Sequence, residues 1–175
     1  MTDPPERIVV SDANVLINLM HVGRLDICGR LPGFKFVVPD HVREEITVPE
    51  QRSALDEAVA LESCRIVTIT DPEDIVLFGD HTTTLGRGES ACLVLADRYG
   101  WTVASDEKKR FRREAVARIG EDRIIGTADL FTCAIQAGLL TIEEADADKA
   151  LLEERRFRMP FRSFRERVPE QLEER

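Results

Sequence analysis

Apolar and polar positions run along the chain in two rhythms. Short runs dense in β-branched residues recur, and between them apolar residues fall at helical spacing. Ile8-Val9-Val10 opens the strands, and Phe34-Lys35-Phe36-Val37-Val38, between Gly33 and Pro39, is the second. Residues 65–70 alternate at period two, 101–104 form a fourth strand and 123–125 a short fifth. Helical patterns cover residues 14–20, with a second short helix over 21–31, then 42–47 and 53–62. Residues 89–99 are apolar almost all round, which predicts a buried helix. Residues 107–118 form a basic helix, and 128–137 a helix that stops at Gly138. Thr141 with Glu144 three residues on is a capping-box start for a helix running toward Arg155. Residues 71–88, polar and glycine-bearing, read as a loop over one end of the sheet. The alternation predicts an α/β fold around a parallel sheet.

A chain of 175 residues is long enough for one domain with a real core. No apolar run approaches the roughly 20 residues needed to span a bilayer. The first seven residues lack the apolar middle of a signal peptide, so the expected location is the cytoplasm. Cysteines at 28, 64, 92 and 133 form no Cys-x-x-Cys pair and stand at no short spacing from histidine. They predict free, buried thiols rather than a zinc site. The net charge of −9 argues against a protein that coats nucleic acid indiscriminately. It leaves room for a nuclease, because active-site carboxylates add negative charge and a local basic patch can still hold phosphate.

Three acids stand just past the carboxyl end of a strand: Asp12, Asp40 and Asp106. Ligands of open parallel sheets bind at that edge. Each of these acids, taken alone, reads first as an ordinary helix N-cap. Several together are harder to dismiss, because like charges repel unless a cation sits between them. The strand before Asp12 is apolar on both sides, so it belongs at the centre of the sheet. Asn14, two residues on, is able to orient a carboxylate. Val42 and Ile46 mark a buried helical stripe. Glu45 lies about 80° from its centre and Glu44 about 180° away, so Glu44 faces solvent and Glu45 can reach a site. Glu89 follows Leu85-Gly86-Arg87-Gly88 and opens the buried helix, where the helix dipole favours an ionised acid. Residues 107–118 carry six basic and two acidic side chains, a net of +4 in an acidic chain. An acid beside such a segment suits phosphodiester chemistry, with the acid taking metal and the bases holding the backbone. Carboxylates without histidine or cysteine partners point to hard oxygen ligation, hence Mg²⁺ or Mn²⁺.

With these residues in view, the sequence resembles the PIN-domain nucleases. Ser11-Asp12-Ala13-Asn14-Val15-Leu16-Ile17 resembles their opening motif, and residues 37–46, ending Glu44-Glu45-Ile46, their second, with Glu45 as the functional acid. Gly88-Glu89-Ser90-Ala91 and Ala104-Ser105-Asp106-Glu107-Lys108-Lys109 resemble the third and fourth. The lysine-rich stretch after Asp106, Ile125-Gly126-Thr127 and the Leu-Leu-x(4)-Phe-Arg element over 151–158 are similar to a VapC-like subgroup. The resemblance implies a three-layer α/β/α sandwich with a mainly parallel sheet, spanning residues 7–140. It leaves residues 1–6 as a disordered start and 141–175 as a helical, basic extension packed on the same domain. It further implies a Mg²⁺- or Mn²⁺-dependent endoribonuclease that cuts single-stranded RNA to a 5′-phosphate and a 3′-hydroxyl. Asp12, Glu45, Glu89 and Asp106 would be the catalytic and metal-holding acids, Asn14 and Ser105 their supports, and Lys108, Lys109 and Arg112 the RNA contacts. Such proteins are usually toxins, blocked by a small antitoxin, and many are homodimers.

Some features stay open at this level. Asp129 is either an extra ligand or, as preferred, a helix-start acid favoured by the dipole. Residues 155–167 hold six arginines and three phenylalanines, which either stack on RNA or, as preferred, pack their rings on the body. Two alternatives to a nuclease stand beside it. One is a catalytically silent PIN-like module that binds RNA or protein. The other is a phosphatase of the haloacid-dehalogenase type, which needs a second Asp where Asn14 stands.

Overall fold

The computed structural model describes residues 5–168. Five strands form one sheet: β1 (Arg7–Ser11), β2 (Phe34–Pro39), β3 (Cys64–Val67), β4 (Thr102–Ala104) and β5 (Ile124–Ile125). They lie in the order β3-β2-β1-β4-β5, and every pairing is parallel. The strand with apolar residues on both sides is the central one, as its sequence predicts. Val9 and Val10 point to opposite faces and both are fully buried, which requires a helical layer on each side.

Between β1 and β2 come α1 (Ala13–His21) and α2 (Ile27–Arg30), separated by Gly23 in the left-handed region at φ 67°. The next connection holds α3 (Asp40–Glu45) and α4 (Pro49–Ala60). The connection from β3 to β4 holds α5 (Pro72–His81) and α6 (Arg87–Tyr99); α7 (Arg110–Ile119) leads to β5, and α8 (Thr127–Gln136) and α9 (Ile142–Glu154) follow. The helix α6 lies against β1, β2 and β4 with α5 and α7 beside it, whereas α4, α8 and α9 gather on α1. The result is an α/β/α sandwich. From β1 the chain steps one way to β2 and β3, then returns past β1 to β4 and β5. The reversal falls between β1 and β4, and a crevice opens at the carboxyl ends of strands at such a point.

Two sequence expectations need correction here. Residues 71–88 are not a loop throughout, because α5 occupies 72–81. Its start has a local cause: the Asp71 side chain accepts the Glu73 N–H at 2.9 Å, Pro72 sits in the first turn, and Glu73 and Asp74 follow near the positive end of the dipole. The basic helix begins at Arg110, not at Glu107, so Lys108 and Lys109 lie in the connection that precedes α7.

Thr141 caps α9 as its sequence predicts. Its hydroxyl accepts the Glu144 N–H at 3.1 Å, and the Glu144 carboxylate accepts the Thr141 N–H at 2.8 Å. Thr141→Ala should cost about 1 kcal/mol, read as a lower urea midpoint at unchanged slope.

The rings of the arginine- and phenylalanine-rich segment pack on the body. Phe164 is fully buried, 5.7 Å from Phe131 and 5.0 Å from Phe161 between ring centres. Asp146 accepts the Ser163 hydroxyl at 2.6 Å and the Phe164 N–H at 2.8 Å. The expectation of a disordered start falls on residues 1–4, outside the described residues, and on Pro5 and Glu6, whose carboxylate lies 2.9 Å from Lys35. Cys28, Cys64 and Cys92 are buried and Cys133 half-buried, all as free thiols. Burial pushes the Cys64 thiol up to about 11, so it is unreactive. Among the described residues no helix is long and apolar enough to cross a membrane.

Candidate active site

The ends of β1 and β4 are locked together by the backbone. The Asp12 N–H donates to the Ala104 carbonyl at 2.9 Å, and the Ser105 N–H to the Ile125 carbonyl at 2.9 Å. Asp12 and Ser105 are thereby fixed at the reversal point of the sheet. Both are buried, and Asp12 is only 4% exposed. The Asp12 carboxylate accepts the Ala13 N–H at 2.8 Å, and its second oxygen lies 3.5 Å from the Ser105 hydroxyl.

Burial pushes the Asp12 carboxyl up to about 7. The Ala13 N–H pulls it down in part, and the negative charges of Glu45, Glu89 and Glu107 push it up further. These three acids lie close enough to act on the charge of Asp12, and they come from α3, α6 and the connection between β4 and α7. Glu45 is the last residue of α3, and its carboxylate accepts the Gly88 N–H at 2.7 Å. A Cβ at Gly88 would stand 2.5 Å from a Glu45 carboxylate oxygen, so only glycine permits this approach. Glu89 sits in the first turn of α6 and accepts the Gly86 N–H at 2.9 Å.

Asp106 occupies a separate cradle. One carboxylate oxygen accepts the Thr127 N–H at 2.8 Å. The other accepts the Thr127 hydroxyl and the Asn18 amide, the latter at 3.0 Å. Burial raises its pKa and these donors lower it, while the nearby charge of Asp129 raises it. Asn14 joins the two groups. Its carbonyl oxygen accepts the Asp106 N–H at 3.3 Å and its amide reaches Glu107 at 3.4 Å. The Ser105 hydroxyl accepts the Glu107 N–H at 3.2 Å, so Asn14 and Ser105 both support the acids around them.

Asp40, the third strand-end acid, stands apart. It accepts the N–H of its neighbour His41 and borders a different cleft with Arg43, Glu44 and Asp56. The Asp129 carboxylate is taken by the Gly126 N–H at 2.7 Å and by Arg167 at 2.6 Å, the arrangement of a helix-start acid with an ion pair. Arg112 turns to Glu121, 2.6 Å away, whereas the sequence makes it an RNA contact. Lys108 and Lys109 are exposed beside the acids. Sequence reasoning missed Glu107, Asn18 and Thr127. For Asn18 a signal exists: it lies four residues after Asn14, a buried polar group in the apolar stripe of α1.

Among the described residues, no three acidic, histidine or cysteine side chains already converge at metal-ligand distance. A carboxylate raised first by burial and then by three nearby carboxylates, with oxygen donors alone around it, nevertheless fits a hard divalent cation.

An acidic crevice at the reversal point of a doubly wound parallel sheet is where such α/β domains bind their ligands. A family model described as a PIN domain matches residues 8–173, and the chain belongs to the PIN-domain family. That family is a nuclease-type fold whose members typically use a divalent metal, and with it the phosphatase alternative falls away. A search of curated proteins returns no match.

Proposed function

We propose that the chain is a Mg²⁺- or Mn²⁺-dependent endoribonuclease that cuts single-stranded RNA. The observation that carries the reading is the buried Asp12 carboxylate faced by Glu45, Glu89 and Glu107 with no cationic partner among the described residues. Asp12 and Asp106 would hold the ion, and Glu45 and Glu89 complete the cage or orient the attacking water. When bound, the ion supplies Lewis-acid stabilisation of the phosphoryl oxygens. Ser105 and Asn14 hold the acids at the crevice, and Thr127 and Asn18 fix the Asp106 carboxylate. Lys108 and Lys109 attract the polyanionic backbone, and the products carry a 5′-phosphate and a 3′-hydroxyl.

The VapC-like motifs extend the proposal to a cytoplasmic toxin, acting as a homodimer and blocked by a small antitoxin. Residues 7–140 form the nuclease unit, and the described part of the extension over 141–175, up to residue 168, packs on it; the remainder of that extension lies outside the described residues. The alternative of a silent RNA-binding or protein-interaction module would leave Asp12 without a partner for its charge.

The test is incubation of a mixed single-stranded RNA pool with Mn²⁺, Mg²⁺ or EDTA. Cutting in either metal and none in EDTA is the expected result. Intact RNA in every lane, from folded protein that binds Mn²⁺, would favour the silent module.

A further inference from the structure

A cleft of about 590 Å³ lies beside the acids, lined by Thr84, Leu85, Glu89, Glu107, Phe111 and the cations Lys109, Arg110 and Arg113. Its volume is that of a ligand pocket. Glu89 and Glu107, whose charges act on Asp12, belong to its wall, so the cleft adjoins the acidic crevice.

The phase of α7 decides which cations reach it. Phe111, Ala115 and Ile119 form the buried stripe of that helix. At about 100° per residue, Arg110 and Arg113 lie on the side away from the stripe, whereas Arg112 borders it and pairs with Glu121; Lys109 stands just before the helix and reaches the cleft from there. Arg110 donates to the Thr84 carbonyl at 3.0 Å, which ties α7 to the opposite wall. Lys109 and Arg113 are exposed and form no ion pair with any described residue, although acids line the same cleft. Cations left unpaired next to carboxylates suit a ligand that brings its own negative charge.

We propose that this cleft is the binding site for the phosphate backbone of the single-stranded nucleic acid, with Lys109 and Arg113 as the phosphate contacts and Arg110 as the wall that shapes it. The inference rests on the nuclease reading for the direction of the strand: a phosphodiester at the acids puts the neighbouring phosphate in the cleft. It replaces Arg112 by Arg113, on the same helix but on a different face.

Binding is measured with the full chain in EDTA, where cleavage does not interfere. The probe is a fluorescein-labelled, mixed-sequence single-stranded RNA 20-mer followed by anisotropy across a salt series. The Lys109→Gln, Arg113→Gln double variant should bind at least 10-fold more weakly. Its slope of log K against log salt should be shallower by about 1.4, near 0.7 for each lost contact on a single strand. Arg118→Gln, at the far end of α7, is the control and should match wild type. Circular dichroism checks that each variant is folded.

Wild-type binding with an unchanged slope in the double variant would overturn the proposal, as would an equal loss in Arg118→Gln. No binding by the wild type would overturn it too. Binding that depends on Lys109 and Arg113, in a protein that cuts no RNA in Mn²⁺, would uphold the cleft and reject the nuclease reading. Metal-dependent cutting that the double variant leaves unchanged would do the reverse.

Discussion

Asp12→Asn should abolish RNA cleavage and, in metal-free buffer above pH 8, melt at a higher temperature than the wild type. The two effects share one cause. The carboxylate stands in a buried position facing three other acids, and its pKa rises from 3.8 to about 7. Below the unfolded value it is protonated in both states and costs nothing. As pH climbs through the folded value of about 7, the native state is forced to give up a proton it holds more tightly than the unfolded chain does. Stability is thus fully present below pH 3.8, is lost as pH rises from there to about 7, and levels off above it. A shift of this size corresponds to roughly 4 kcal/mol, so Asn, neutral at every pH, should recover about 2–4 kcal/mol above pH 8. Saturating Mn²⁺ should reverse the order. At 100 times its Kd a ligand adds about 2.7 kcal/mol to the wild type, and the variant should gain far less. Cleavage should fall at least about 1,000-fold, on the scale of losing a main electrostatic contributor. Thermal melts at pH 5 and pH 8.5, with and without Mn²⁺, test the stability half independently of any RNA. A variant less stable than the wild type in EDTA at pH 8.5 would mean that Asp12 is not the strained acid described here.

Gly88→Ala separates geometry from stability. The new Cβ would stand 2.5 Å from a Glu45 carboxylate oxygen and 2.9 Å from the carboxylate carbon. Glu45 is a long, exposed side chain, so it can swing away at little cost to the fold. It would leave the Gly88 N–H and with it the position opposite Asp12. Displacements of about 1 Å in a reacting constellation cost up to about 100-fold in rate, and that is the loss expected in kcat. The unfolding free energy should fall by no more than about 1 kcal/mol, since alanine is the better helix former in the first turn of α6. Wild-type cleavage by Gly88→Ala would show that Glu45 need not hold its present position.

The sequence carries most of the frame. The central position of β1 follows from its unbroken apolar run, and the separation of Glu45 from Glu44 follows from the phase set by Val42 and Ile46. The strand ends point to the crevice because acids follow two of the strands that meet at the reversal. Other features were hidden for identifiable reasons. The start of α5 is written in Asp71-Pro72-Glu73-Asp74, and the polar content of residues 71–88 masks it. Arg112 and Arg113 are told apart by the stripe of Phe111, Ala115 and Ile119, which leaves Arg112 at its border, paired with Glu121, and Arg113 away from it. Asp40 has the same local context as Asp12 and Asp106, yet it follows β2, one strand away from the reversal. The contact of Asn18 with Thr127 and Asp106 joins residues about a hundred positions apart, and no local pattern encodes such a meeting.

The two margins of the sheet carry a consequence for how copies of this chain can associate. One margin is β5, only two residues long, and the other is β3, four residues long with the exposed Arg65 in its middle. An exposed margin recruits another chain by offering a row of free backbone groups, and short or charged margins offer a poor template. Growth of the sheet from one molecule to the next is therefore blunted at both sides. The route this leaves for self-association is through side chains on the helical layers, where shape and charge choose the partner face.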